Sequence, residues 1–155
     1  MTAATRTVWR ITTRRFATQA FSGEGARLYG GRWNRAGQPV VYTAESRALA
    51  LLEMLVQDDP LRAHYVLIPA YLSEAVSMET MDSIVLPQDW RTHARRETLQ
   101  RLGGEWLRQL RSCVLAVPSA VVPAEFNFLI NPLHTDFRHI TFGAPEVLDT
   151  DMRLR

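Results

Sequence analysis

The sequence predicts an α+β fold: a single compact domain over residues 1–155, in which short antiparallel or mixed strands surround one central helix. Three observations support this prediction. Short β-branched and aromatic runs recur along the chain, turn residues separate them, and one segment places apolar residues at helical spacing. A chain of 155 residues with 46% hydrophobic content is long enough for one domain with a substantial core.

The predicted strands are short and distributed over the whole chain. TVWRIT at 7–12 alternates apolar and polar residues, and PVVYT at 39–43 is β-branched and aromatic. HYVLIPAYL at 64–72 contains Pro69, which indicates an edge strand or a bulge because proline has no N–H to donate. Further strands are predicted at 76–80, 113–117, 138–142 and 146–148.

The central helix is predicted to follow PVVYT directly. Glu45 or Ser46 caps its start, and it ends near Gln57, where the segment 58–60 (DDP) stops it. Its apolar positions are Leu49, Leu52, Leu55 and Val56.

Three other segments have less regular patterns. Residues 91–100 are predicted to form a charged helix that Gly103 and Gly104 interrupt, with a shorter helix at 105–110. Residues 16–31 hold four glycines and are predicted to form a loop over a site. FNFLINP at 126–132 is predicted to be an apolar loop or a short helix.

The composition argues against several classes of protein. All 18 basic residues are arginines, but the net charge is only +2, so the arginines reflect either phosphate binding or a compositional bias. The single cysteine, Cys113, provides neither a disulfide framework nor a zinc cluster. Neither a signal-peptide core nor a run of about 20 apolar residues is present, so we expect a cytoplasmic protein without membrane contact.

Residues 30–57 contain the strongest candidates for a site. Arg32 follows a glycine pair that lets its guanidinium approach a phosphate and hold it with two hydrogen bonds. Tyr42 ends a strand, and Glu53 lies on a largely apolar helix, where an unpaired charge is costly to bury. The alternatives are a surface arginine in a turn, a core tyrosine, and a glutamate that faces solvent or pairs with Arg47.

Four other residues are weaker candidates. Arg27 is a second cation on the loop of Arg32, and Trp33 could stack on a ligand ring. Ser119 follows a predicted strand, and Asn131 lies in the block NFLINPLH. Each has a structural alternative, such as a turn serine or a turn asparagine beside proline. A metal site is not predicted, because the histidines are scattered along the chain.

Several segments together resemble the RES domain family, which is named for an arginine, a glutamate and a serine. They are VWRI, GGRWN, GQPVVYTAESRALALLEML and VPSAVVPAEFNFLINPLH, in the expected order over nearly the full length. By this resemblance Arg32, Glu53 and Ser119 are the three family residues, and Tyr42 is a fourth site residue. Phe128 stands where a tyrosine is common, so a hydroxyl is absent there.

The resemblance implies a fold similar to ADP-ribosyltransferases and a bacterial toxin that depletes NAD+. Such toxins cleave the bond between nicotinamide and ribose, by hydrolysis or by phosphorolysis. Glu53 would stabilise the positive charge that develops on the ribose, and Arg32 would bind phosphate. Tyr42 would border the nicotinamide, and Ser119 would orient the ribose or Glu53.

The resemblance also implies the ligands and partners of the chain. NAD+ would be a substrate and not a bound cofactor, since a GxGxxG fingerprint is missing from the sequence; inorganic phosphate is a candidate co-substrate. The usual protein partner is a helix-turn-helix (Xre-type) antitoxin that covers the pocket. Apolar surface around Trp106 or Phe126 is a candidate interface for that antitoxin or for a homodimer.

Other functions remain open from the sequence alone. The chain could transfer ADP-ribose to a protein instead of to water or phosphate. An RNA-targeting toxin would use the arginines of 91–111, but acidic residues interleave with that run, and we expect no direct nucleic-acid binding. A non-enzymatic binding module and a serine hydrolase are further alternatives; the latter lacks the GxSxG elbow.

Overall fold

One mixed sheet organises the fold in a computed structural model that describes residues 5–57, 64–151 and 153–154. In those residues the sheet has eight strands in the order β4-β5-β6-β2-β1-β3-β7, and β8 also pairs with β3. The β4–β5 pair is parallel and the other pairs are antiparallel. The strands are β1 Arg6–Thr13, β2 Val41–Ala44, β3 Tyr65–Leu72, β4 Met78–Thr80, β5 Val114–Pro118, β6 Phe126–Ile130, β7 Thr141–Phe142 and β8 Glu146–Val147.

Three α-helices in the same ranges accompany the sheet: α1 Glu24–Tyr29, α2 Arg47–Leu55 and α3 Arg96–Gln109. The start of α2 is fixed by Ser46, whose hydroxyl accepts a hydrogen bond from the N–H of Leu49 at 3.0 Å. Short 3₁₀ turns lie at Arg14–Gln19, Ser83–Val85, His93–Arg95 and Thr135–His139.

Both longer helices cover the same face of the sheet, which we call the helical face. Residues paired across neighbouring strands point to the same side, and the pairs Trp9–Ala44, Ala44–Asn127 and Val117–Asn127 therefore define one face. Leu49 and Ala50 of α2 pack over Trp9 and Ala44 at one end of this face. Leu99, Trp106 and Leu107 of α3 pack over Leu115, Val117 and Leu129 at the other end.

The opposite face of the sheet holds the second part of the core. It carries Val8, Val41, Phe128 and Ile130, with Phe21 and Phe137 packed against them. Asn127 lies on the helical face, between positions covered by α2 and positions covered by α3. A polar residue of β6 is thereby placed where the two helices approach each other.

The main error of the sequence prediction concerns β6. Residues 126–132 were expected to be a loop or a short helix, but Phe126–Ile130 is a strand between β5 and β2. Its neighbours are residues 114–118 and 41–44, so the partners that make it a strand lie outside the segment itself, and those at 41–44 are far away in sequence. The alternation inside FNFLI directs Phe128 to one face and Leu129 to the other.

Two helical predictions are also wrong. The segment 16–31, expected to be a loop, contains α1 and part of a 3₁₀ turn. Gly103 and Gly104 do not interrupt α3, because both lie inside a continuous helix. Gly103 has a packing role there: a Cβ at this position would lie only 1.9 Å from the carbonyl oxygen of Trp33.

The remaining strand and helix predictions agree with the structure in type. Their bounds differ most at 138–142, where a 3₁₀ turn runs to His139 and the strand is only Thr141–Phe142, and at 91–100, where the α-helix begins at Arg96. Within α2, however, Leu52 and Val56 are exposed, and Leu49, Ala50 and Met54 form the buried side. Pro69 lies inside β3, paired with Trp9, between the short segments that bond to β7 and β8. The predicted helix stop at 58–60 lies outside the described residues.

Candidate active site

Glu53 is held at the helical face by two hydrogen bonds to the same oxygen atom. The hydroxyl of Ser119 donates to Oε1 of Glu53 at 2.7 Å, and Nδ2 of Asn127 donates to the same atom at 2.7 Å. Glu53 comes from α2, Ser119 directly follows β5, and Asn127 belongs to β6. A helix and two consecutive strands that are distant from it in sequence therefore meet at one carboxylate.

The structural alternatives for Glu53 do not match this geometry. The side chain is partly buried and does not pair with Arg47. Arg47 instead forms an ion pair with Glu146 at 2.9 Å and lies over the ring of Trp9. The Glu146 carboxylate raises the pKa of Arg47, and Arg47 lowers the pKa of Glu146.

The second oxygen of Glu53, Oε2, has a different environment from Oε1. Within 5–57, 64–151 and 153–154, Oε2 accepts no hydrogen bond, and neither an arginine nor a histidine lies within ion-pair distance of the carboxylate. The two bonds to Oε1 come from neutral donors. The negative charge is thus oriented but not neutralised by the described residues, which suits it to stabilise a positive charge on a ligand.

Ser119 acts on Glu53 and is not itself accessible. It is 0% exposed. Its Oγ accepts hydrogen bonds from the N–H groups of Val121 and Val122, both at 3.0 Å, and donates to Glu53. With its hydroxyl fully engaged, Ser119 can orient Glu53, whereas a direct contact with ribose has no surface available.

Arg32 is presented by a rigid turn. The N–H of Gly31 donates to the carbonyl of Asn34 at 3.0 Å, and Gly30 has φ +74°, a conformation that favours glycine. Asn34 is 0% exposed, and its Nδ2 donates to the carbonyls of Ala26 at 2.9 Å and Gln38 at 3.1 Å. The turn is therefore fixed by backbone and side-chain bonds that leave the Arg32 guanidinium partly exposed.

The hydroxyl of Tyr42 supports this turn through two hydrogen bonds. Its hydroxyl donates to Oδ1 of Asn34 at 2.7 Å and accepts from the N–H of Trp33 at 3.0 Å. Gly31 permits the approach, since a Cβ there would lie 2.6 Å from the hydroxyl. Burial raises the pKa of Tyr42, with hydrogen bonds and nearby positive charges opposing the shift. Tyr42 is a neutral phenol whose hydroxyl positions the Arg32 turn.

A short chain of contacts connects Arg32 to the Glu53 cluster. Nη1 of Arg32 donates to the carbonyl of Arg91 at 3.4 Å, and Nε of Arg91 donates to the carbonyl of Ala120 at 2.8 Å. Ala120 directly follows Ser119 in the chain. The positive charge of Arg32 and the carboxylate of Glu53 are thereby brought to one region of the molecule.

Three of the predicted substrate-binding residues make contacts within the protein. Arg27 pairs with Glu24 on α1. Trp33 is 2% exposed and packs near Trp90, so its ring has no surface for a ligand. Burial corrects the role expected for Trp33, whereas a role of the exposed Arg27 in binding stays a prediction.

Asn131 is the third of these residues, and it lies in the core. It is 1% exposed, its Nδ2 donates to the carbonyl of Leu107 at 3.2 Å, and its Oδ1 accepts from the N–H of Leu133 at 3.0 Å. Both ends of the amide are satisfied by backbone, which corrects its expected role. The buried Trp106 likewise belongs to the core and not to an interface, whereas Phe126 is 37% exposed.

Sequence reasoning missed two residues of the cluster. Asn127 was part of the NFLINPLH block, but its strand was not predicted, so the face to which it points was unknown. Arg91 lies in a charged segment without a distinguishing local signal. Strand alternation within FNFLI is the signal that could have found Asn127.

The described residues include no group of three His, Cys, Asp or Glu side chains arranged to hold a metal ion. None of the helices in those ranges has the length and apolar character to cross a bilayer.

Comparison with known proteins gives concordant results. The sequence profile of the RES domain matches residues 7–151. A protein named Toxin Res from Photorhabdus laumondii is 39% identical over 132 residues, 84% of each chain. A protein named Prs ADP-ribosylating toxin from Sphingobium sp. is 38% identical over 142 residues, 88% of each chain.

A solved structure is similar in fold. The M. tuberculosis MbcT–MbcA toxin–antitoxin complex contains a chain that superimposes with a TM-score of 0.74 at 20% sequence identity. The match covers 95% of this chain and 86% of the other. It confirms the predicted fold class.

Proposed function

The chain belongs to the RES domain family, and from this premise we propose that it is the toxin of a toxin–antitoxin pair that consumes NAD+. The bond that breaks joins nicotinamide to the ribose. The single observation that carries this proposal is the Glu53 carboxylate, held through one oxygen by Ser119 and Asn127, with its other oxygen accepting no hydrogen bond from the described residues. The names of the relatives support the toxin role.

The chemistry of NAD+ explains why one carboxylate suffices. The nicotinamide ring already carries a positive charge, so it leaves with the bonding electrons as a neutral molecule and needs no strong acid. The barrier is the positive charge that appears on the ribose. Oε2 of Glu53 supplies a fixed negative charge for that stage, and preorganised electrostatic stabilisation of this kind is commonly the largest catalytic contribution.

Arg32 supplies the complementary contact with the substrate. A guanidinium presented by a rigid turn holds a phosphate with little loss of conformational freedom on binding. The turn is braced by Tyr42, Asn34 and α3, where Nε2 of Gln100 donates to the carbonyl of Gly31 at 2.9 Å. We assign Arg32 to the pyrophosphate of NAD+.

The acceptor of the ADP-ribosyl group completes the reaction. With water, the products are ADP-ribose, nicotinamide and a proton; with inorganic phosphate, the phosphate oxygen forms the new bond and phosphorylated ADP-ribose results. A second candidate function, transfer of ADP-ribose to a protein, is favoured by the name of the Sphingobium relative. All three reactions share the same first step, in which Glu53 stabilises the positive charge on the ribose.

The experiment measures nicotinamide release from NAD+ by purified protein, with and without phosphate. We expect release by the unmodified chain and its loss in Glu53→Gln, which keeps the side-chain shape but removes the charge. Glu146→Gln is the matched control, because Glu146 is an exposed carboxylate of β8 that pairs with Arg47 of α2, the helix that carries Glu53. Equal turnover in Glu53→Gln and the unmodified chain would refute the proposal.

Growth of a bacterial host tests the toxin role separately. Expression of the chain alone is expected to stop growth and lower cellular NAD+, whereas co-expression with a cognate helix-turn-helix antitoxin restores growth. Arrest that persists unchanged with soluble Glu53→Gln would separate toxicity from NAD+ cleavage. ADP-ribosylated host proteins, detected by mass spectrometry, would favour the second candidate function.

A further inference from the structure

We infer that Asn127 is a positioning residue of the proposed reaction: together with Ser119 it fixes Oε1 of Glu53, so that Oε2 is the oxygen that faces the substrate. This inference rests on the proposed function and extends it to a residue outside the family's three named positions. The donor is Nδ2 of Asn127, at 2.7 Å from Oε1. The bond has the same length as the bond from Ser119.

The sheet register explains why these two donors reach one oxygen. Asn127 of β6 is paired with Val117 of β5, and Pro118 is paired with Phe126, so Ser119 lies at the end of the strand beside Asn127. The N–H of Ser119 donates to the carbonyl of Glu125 at 2.9 Å, which continues the pairing past the end of β5. The sheet therefore presents two adjacent donors, while α2 delivers the flexible glutamate to them.

The other end of the Asn127 amide shows what this residue contributes. Its Oδ1 is buried, and no donor in the described part of the chain reaches it. Exchanging Oδ1 and Nδ2 of the amide does not improve its contacts, because the amide oxygen would then face the Glu53 carboxylate, and two acceptors repel. A buried carbonyl without a partner lowers the stability of the fold. The presence of an asparagine at this position is thus explained by the hydrogen bond that it donates to Glu53, and not by a contribution to the stability of the fold.

Asn131 provides a matched control four positions further along. Both polar ends of its amide are satisfied, by the carbonyl of Leu107 and the N–H of Leu133, and it is 1% exposed. Its replacement removes two satisfied hydrogen bonds, whereas replacement of Asn127 removes one bond to Glu53 and one unpartnered oxygen. The two asparagines should therefore respond in opposite ways to the same substitution.

The test replaces each asparagine by leucine, which has a similar volume, and measures nicotinamide release and thermal unfolding. We expect Asn127→Leu to lower kcat by about tenfold to a hundredfold, with KM for NAD+ within about twofold, because the bond orients Glu53 without touching substrate. Its unfolding temperature should be unchanged or higher. Asn131→Leu should lower the unfolding temperature, with any loss of rate following the folded fraction.

A double variant shows whether Asn127 acts through Glu53. In the Glu53→Gln background, Asn127→Leu should reduce kcat by clearly less than it does alone, because the charge that it orients is already absent. Independent effects that multiply would overturn the inference. If Asn127→Leu does not fold, Asn127→Ala is judged on the same kcat criterion.

The outcomes separate this inference from the proposed function. An unmodified chain that releases no nicotinamide overturns the proposed function and this inference with it. An active unmodified chain with Asn127→Leu at wild-type kcat overturns the inference alone. An active chain in which Asn127→Leu loses both rate and stability, like Asn131→Leu, also overturns it and gives Asn127 a structural role.

Discussion

Gly103 is the point where α3 presses on the turn that presents Arg32, and its replacement by alanine tests how that turn is held. A Cβ at Gly103 would lie 1.9 Å from the carbonyl oxygen of Trp33, whereas real Cβ contacts are essentially never shorter than 3.0 Å. The helix and the turn must therefore separate by about 1 Å or more in a tightly packed region. The carbonyl oxygen belongs to the backbone of the turn, and a Cβ is fixed by its bond to the helix backbone, so neither atom can rotate away.

The expected cost follows from two opposing contributions. Overpacking a core costs about 1–3 kcal/mol, with larger values on occasion, while the higher helix propensity of alanine contributes about 1 kcal/mol in the other direction. Because the carbonyl cannot move without the backbone of the turn, we place the overpacking cost at about 3–4 kcal/mol, above the typical range, which leaves a net loss of about 2–3 kcal/mol. This corresponds to a fall of about 4–12 °C in Tm for a chain of this size.

Gly104→Ala is the neighbouring control with the opposite expectation. A Cβ at Gly104 would meet Oε1 of Gln38 at 3.1 Å and Nη1 of Arg108 at 3.4 Å, both at the ends of flexible side chains. These side chains can move, so the helix-propensity gain of up to about 1 kcal/mol should largely remain. Tm should stay constant or rise.

Thermal unfolding followed by circular dichroism, together with nicotinamide-release kinetics, measures both effects. Under the proposed function, Gly103→Ala should also raise KM for NAD+, because the displaced turn carries Arg32. Gly103→Ala with wild-type Tm, or a larger loss of stability in Gly104→Ala, would refute the packing account of the turn.

Further predictions concern the two residues at the Arg32 turn. Arg32→Lys should raise KM for NAD+ by about tenfold with a smaller change in kcat, since an ammonium lacks the two-pronged geometry of a guanidinium; an unchanged KM argues against a phosphate contact. Tyr42→Phe should lower stability by about 1–3 kcal/mol, because the N–H of Trp33 and the side-chain oxygen of Asn34 lose their partner; denaturant unfolding measures this. Burial raises the pKa of Tyr42, so the unfolded chain releases that proton first as pH rises past about 10, and the stability contribution of Tyr42 is lost above that pH. Unfolding curves from pH 8 to 11 should show this decline in the unmodified chain and a weaker decline in Tyr42→Phe; equal declines contradict it.

Local patterns predicted most of the sheet but not β6, which lies between β5 and β2. The strands β1, β3 and β5 have clear alternating or continuous apolar runs, so their type follows from the sequence. β6 does not, because FNFLINP reads equally well as a loop until β2 and β5 flank it. α3 continues through its two glycines. At Gly103 the contact with the Trp33 carbonyl leaves no room for a Cβ, and local propensity carries no information about that contact.

The candidate site was accessible from the sequence only in part. Local patterns made Arg32, Tyr42, Glu53 and Ser119 candidates, and the family resemblance selected them; in the structure a series of contacts connects the Arg32 turn with the segment that begins at Ser119. Composition cannot indicate which way a side chain points. Trp33 and Asn131 were therefore placed at the substrate although both are buried, and Asn127 was passed over although its amide reaches Glu53.

The rate of nicotinamide release in Glu53→Gln, relative to the unmodified chain, tests the central claim most directly. The claim is that an oriented and un-neutralised carboxylate stabilises the charge on the ribose. It predicts a loss of about a hundredfold to a thousandfold in kcat, in a variant whose unfolding transition matches that of the unmodified chain. A Glu53→Gln protein that is folded and turns over NAD+ within about twofold of the unmodified chain would contradict it.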